Sequence, residues 1–234
     1  MRRITGFLLL LLLASVQTAR ADITAQYHLW GVIGPILKVE VAENGNARVS
    51  MRHGTALIRR DNILYHVESD DQGTFLVREE DFRSYHRRVI AEGGLPELPP
   101  MQAGDLEIVE LGLETVGGRE GKVMAVQPRG QPLGEAERKE LRQFATVISS
   151  DPDLAPVGPL VTSIFGGDLL EGLPGMKDIF AKMREISERG APIRIGWFLA
   201  LETTSNEPIP ATAFDLPGPV VSGEEAAIRL SGRE

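Results

Sequence analysis

The four histidines, His28, His53, His66 and His86, are the side chains in this chain best suited to bind a metal or move a proton. No two stand at the i, i+4 spacing that puts a pair of imidazoles on one helix face. Each also has an ordinary place on a strand, a turn or a helix flank, so no metal site is expected. His66 and Glu68 share one strand face, an arrangement ordinary on a solvated surface. The run Gly117-Gly118-Arg119-Glu120-Gly121-Lys122 has the composition of a phosphate-binding loop. Its spacing is one residue short, Val123 stands where a magnesium-holding hydroxyl belongs, and a strand follows instead of a helix. It reads as a hairpin turn. The acidic turn Asp70-Asp71 lacks the graded oxygen ligands of a calcium loop. There is no Gly-x-Ser-x-Gly elbow, and with no cysteine there is no thiolate nucleophile or ligand. No catalytic residue and no cofactor is assigned, although carboxylates brought together by folding could still do acid–base work.

The elements that must position these groups are mostly strands. Ile23, Ala25, Tyr27 and Leu29 alternate with polar neighbours, as do Leu37, Val39 and Val41, the period of a half-buried strand. Asn44-Gly45 supplies a tight turn, the strongest local signal in the chain. Ala47 to Met51 returns, and further short strands run through Ala56–Arg59, Ile63–Val67 and Thr74–Arg78. Five or six short strands joined by tight turns make an antiparallel meander. The period then changes: Phe82, Tyr85, His86, Val89 and Ile90 mark an amphipathic helix laid on the sheet. Strands are expected over 106–115 and 122–127. A second helix is expected over 135–149, with Leu141, Phe144, Ala145 and Ile148 on one face. The apolar run 160–173 reads either as a buried helix or as an apolar flap.

The C-terminal part organises the rest. An amphipathic helix over 176–186 is expected to lie against the inner face of the sheet. A long strand over 193–203 follows, with Ile193, Ile195, Trp197, Leu199 and Leu201 on one face and Arg194, Phe198 and Glu202 on the other. Unpaired burial of Arg194 or Glu202 would be costly, so parity places Trp197 inward. A short strand ending in Phe214-Asp215-Leu216-Pro217 and a last short helix from Ser222 close the chain.

Residues 1–21 have the form of a secretory signal peptide. Arg2 and Arg3 precede the apolar run Phe7–Leu13, and Ala19-Arg20-Ala21 marks cleavage before Asp22. The apolar run is about half a membrane span. No cysteine stands at the new N-terminus to take a lipid, so no stable membrane anchor remains. The expected location is the periplasm or the medium. Loss of Arg2, Arg3 and Arg20 leaves 22 basic against 33 acidic residues, a net charge of −11. Such a surface repels phosphate backbones, which argues against nucleic acid as a partner. Residues 22–234 carry no linker and read as one domain, which must rest on its apolar core, since it uses no disulfides.

With the meander, the central helices, Gly190-Ala191-Pro192-Ile193 and Phe214-Asp215-Leu216-Pro217 in place, the chain resembles the LolA-like superfamily. The likeness is closest to its uncharacterised secreted members and covers most of residues 22–220. It implies an α+β fold, an open antiparallel half β-barrel wrapped around helices, with an insertion near 152–174. It also implies a non-enzymatic protein that binds an apolar or lipid-like ligand, such as an acyl chain, on the concave face. Trp197, Leu199, Phe165 and Leu169 are the candidate ligand-binding residues. Two other readings stay open: an envelope interaction module with a fully packed barrel, whose partner is another envelope protein, and an exported hydrolase.

Overall fold

Strand alternation and tight turns dictate an antiparallel sheet, and the computed structural model describes one over residues 22–30, 36–52, 54–92, 105–165 and 177–231. The N-terminal meander is β1 (Ile23–Leu29), β2 (Ile36–Val41), β3 (Ala47–Met51), β4 (Gly54–Arg60), β5 (Ile63–Asp70) and β6 (Gly73–Arg78). Helix α1 (Glu79–Ala91) follows, then β7 (Leu106–Val116), β8 (Arg119–Pro128), α2 (Glu135–Phe144) and β9 (Thr146–Ser149). Next come α3 (Gly158–Phe165), α4 (Lys177–Ser187), β10 (Ala191–Ile195), β11 (Leu199–Ser205) and α5 (Gly223–Ser231). All eleven strands join one antiparallel sheet in the order β6-β5-β4-β3-β2-β1-β11-β10-β9-β8-β7. Two meanders are thus fused where β1 pairs with β11. The α+β class and the open antiparallel sheet agree with the half-barrel expected from the sequence.

Cross-strand partners share a face, so the inner face can be followed along the sheet, apart from β10, where the register shifts between Pro192 and Arg194. It carries Tyr27, Val39, Val49, Leu57, Val123, Val147, Ile193 and Leu199, all in the main apolar core. Helix α3 lies on it through Leu160 and Val161, with Val157 just ahead. Its approach is close: a Cβ on Gly158 would sit 3.1 Å from the Ala191 Cα. The buried Tyr27 hydroxyl donates across this face to the Pro192 carbonyl at 3.0 Å. Burial pushes the Tyr27 phenol far above its ordinary pKa, so the donor stays neutral. A second core forms at the β6 end, where Phe75, Val77 and Phe82 meet Val221, Ala226 and Leu230 of the C-terminal segment. There Arg229 of α5 forks onto Asp70 at 2.6 and 2.7 Å and lies 3.8 Å over the Phe75 ring. The exposed edge of β6 is covered: Leu76 donates to Pro219 and accepts from Val221, which protects it from pairing with another chain.

Five expectations are corrected. The strand over 193–203 is a hairpin, β10 and β11, with Ile195 opposite Leu199. Gly196 turns the chain at φ 51°, a left-handed conformation that glycine adopts without strain. Arg194 is not in solvent: its guanidinium lies beneath Glu114 at 2.9 and 3.2 Å and also donates to the Gly196 carbonyl at 2.7 Å. Paired burial removes the cost that argued for exposure. Helix α2 ends at Phe144, and 146–149 is strand β9, buried on both faces. Helix α4 packs Ile186 on Met124 and Ile148, on the sheet face opposite the one α3 covers. The segment before Phe214 is a 3₁₀ turn, Ala211–Phe214.

Candidate functional site

Helix α3 lies on the inner face against β10, and that face is open beside β4 and β5. The opening is a cleft of about 600 Å³ between the two apolar cores. Leu57 of β4, Phe82 of α1 and Ile164 of α3 form its apolar floor, and Met51 stands at the rim. Thr55, His66, Glu68, Ser69, Thr74 and Ser163 supply its polar groups. The register explains the mixture: Leu57 opposes His66 and His66 opposes Val77, so the imidazole takes an inner-face position.

His66 is the best-held polar group of the cleft. Its ring stacks on Phe82 at 3.7 Å and 9°, and its Nε2 pairs with Glu79 at the start of α1. The second oxygen of Glu79 accepts from Arg83 Nε at 2.5 Å, one helical turn on. Burial pushes the Glu79 carboxyl up, but His66 and Arg83 outweigh it and hold the group below the usual carboxylate range. His86 lies 4.2 Å from the Phe82 ring, with its Nδ1 buried and unpartnered among the described residues. Burial first, then the neighbouring His66, lower its pKa, against a smaller opposite pull from Glu68.

A depressed histidine has a definite consequence for stability. Unfolded, His86 titrates near 6.5. Folded, it takes its proton only at lower pH, so stability is full above that value and declines as pH falls below it. The urea midpoint of the wild-type protein should therefore drop between pH 7 and pH 5, and His86→Phe should flatten that drop. An unchanged slope in the variant would show that His86 does not titrate in this range.

The expected ligand residues are not gathered at this cleft. Trp197 is at the apex of the β10–β11 turn and 60% exposed, a correction to its inward placement. Leu199 is fully buried in the main core. Phe165, at the end of α3, is half-buried against Phe198 at 5.7 Å between ring centroids. Leu169 lies outside the described residues, as does His53. Trp197 instead joins Trp30, Arg142 and Arg194 around a shallow surface depression. The His66–Glu79 pair was missed because Glu79 comes from the next helix; only the shared face of His66 and Glu68 hinted at it. Among the described residues no group of three His, Cys, Asp or Glu could hold a metal, and no described helix is long and apolar enough to cross a membrane. Compared with protein-family models, curated proteins and solved structures, the chain matches none of them.

Proposed function

We propose that this is an exported, non-enzymatic, LolA-like protein that binds an apolar or lipid-like ligand in the cleft between β4, β5, α1 and α3. The observation that carries the reading is the cleft itself, a cavity of ligand size with an apolar floor; binding pockets for small molecules run to about 300–1,000 Å³. The open eleven-stranded sheet with a helix on its inner face supports the same reading. Export rests on the leader-like residues 1–21 and on Asp22. Its carboxylate accepts from the Glu43 and Ile209 amides at 2.8 and 2.7 Å, which suits a mature chain whose fold starts there. The intact mass of protein recovered from the periplasm or medium should correspond to residues 22–234. A mass retaining Met1–Ala21 would remove the export claim.

Ligand binding is tested with N-phenyl-1-naphthylamine, an uncharged apolar probe that brightens in dry sites. The protein should enhance its emission saturably. Thr55→Trp, which fills the cleft from β4, should weaken binding at least tenfold, about 1.4 kcal/mol. Trp197→Ala, a change at an exposed turn, should leave binding unaltered and stability within about 0.5 kcal/mol. Absence of saturable binding would end the proposal, and sensitivity to Trp197→Ala alone would move the site to the β10–β11 turn.

A further inference from the structure

We infer that the depression at the β10–β11 turn binds an uncharged saccharide, whose rings stack on the indoles of Trp30 and Trp197. This site is separate from the cleft and adds a second ligand class to the function proposed above. Among the described residues, the aromatic side chains left mostly exposed are Trp30, Phe144 and Trp197, at 59, 65 and 60%. Single exposed apolar residues are ordinary, but a gathered set marks a contact surface. Backbone pairing gathers these three. Trp30 donates its amide to the Phe198 carbonyl at 2.8 Å, which sets it beside the turn. Gly196 donates to the Ala145 carbonyl at 3.0 Å, so Phe144 and Trp197 flank that bond.

The depression, of about 480 Å³, is shallow, so whatever it holds keeps one side in water. An acyl chain would stay wet there, whereas a pyranose has apolar C–H faces and a hydroxyl rim. An indole matches that division, with a broad apolar face and one N–H donor. Among the described residues no parallel ring covers either indole: His28 meets Trp30 at 73° and Phe198 meets Trp197 at 83°. The polar groups lining the depression are planar and held in place. Arg194 forks onto Glu114 at 2.9 and 3.2 Å and donates to the Arg142 carbonyl at 3.1 Å. Arg142 in turn donates to the Leu111 and Leu113 carbonyls at 2.6 and 3.3 Å. A fixed floor lowers the ordering cost of binding. Its charges are already engaged. Glu114 answers Arg194 and lies 3.8 Å from Arg142, and Glu202, paired with His28 beside Trp30, offsets the remaining cation. A charged ligand would find no open countercharge. Hydroxyls fit, since the Gln143 amide at the rim both donates and accepts.

Trp30 and Trp197 are the two tryptophans of the chain, so its tryptophan emission reports on this site alone. Cellohexaose, maltohexaose and N-acetylchitohexaose are titrated into the full mature chain. At least one should change the emission saturably below about 1 mM. Trp30→Ala and Trp197→Ala should each weaken that sugar about tenfold by calorimetry. Their urea midpoints should not move, because both side chains are exposed. Ile228→Ala, an exposed change elsewhere, should leave the affinity unaltered. The affinity should also hold between low salt and about 0.5 M NaCl. Hexagalacturonate or hexaglucosamine binding more tightly than every uncharged sugar would overturn the uncharged class. Silence toward all the sugars would overturn the site itself. So would emission that shifts only with phosphatidylcholine vesicles, or only with protein concentration, since the aromatic face would then meet a membrane or a second copy. Naphthylamine binding in the cleft should be unchanged by saturating sugar, so the cleft reading and this one fail separately.

Discussion

Tyr27→Ala is expected to cost the fold about 3–5 kcal/mol, the range for deleting a buried aromatic ring. Tyr27 is fully buried in β1, the strand that joins the two meanders. Its truncation opens a cavity where β2, β1 and β11 run side by side, and it also orphans the Pro192 carbonyl. Proline itself has no amide to give the ladder, and the β9–β10 register shifts between Pro192 and Arg194. The phenol is therefore what ties this irregular stretch back to β1. Tyr27→Phe separates the two losses. It keeps the ring and removes only the hydrogen bond, so about 1–3 kcal/mol should go. Urea denaturation of both variants measures the difference. Equal costs for the two would mean that the ring packs loosely, and a silent Tyr27→Phe would mean that water satisfies Pro192.

Gly117→Val carries the next largest expected effect. Gly117 and Gly118 form the two-residue turn between β7 and β8, with φ of 56° and 75°, the positive values that a type I′ hairpin requires. A branched side chain in that conformation costs of order 1–3 kcal/mol. Space is the second cost, because a Cβ on Gly117 would lie 2.7 Å from the Leu201 carbonyl oxygen and 3.1 Å from its side chain. The β7–β8 hairpin curls over β11 at this point, so relief needs a backbone shift worth roughly 1–3 kcal/mol more. Gly118→Ala is the matched control: its φ is also positive, but nothing lies within 4 Å, so it should lose only the conformational part. If the two substitutions cost the same, the curl over Leu201 does not persist in solution.

Much of the architecture was legible in the sequence because period-2 alternation and turn chemistry are local. The six N-terminal strands, the amphipathic helix after them and the hairpin at 117–118 all follow from neighbours along the chain. So does the rejection of Gly117–Lys122 as a phosphate loop: the glycines answer to a turn and to Leu201. Strand β9 was not legible. Covered by α3 on one side and α4 on the other, it has no polar face, and Thr146, Val147 and Ile148 then read as well in a helix as in a strand.

The sequence by itself determined which residues of 193–203 face inward: Ile193, Ile195, Leu199 and Leu201 are all buried, as their alternation requires. It did not determine that the chain reverses between them. Ile195 and Leu199 are four residues apart, and cross-strand partners share a face. A hairpin with three residues at its tip therefore preserves the parity of one long strand, and the pattern is identical for both. Trp197 has inward parity in either case, and only the turn carries it into solvent. The cleft was decided by tertiary structure for a related reason. Its floor is assembled from Leu57, Phe82 and Ile164, and what leaves it open is how far along the sheet the short helix α3 reaches. That is set by packing between segments about a hundred residues apart, which no local period records.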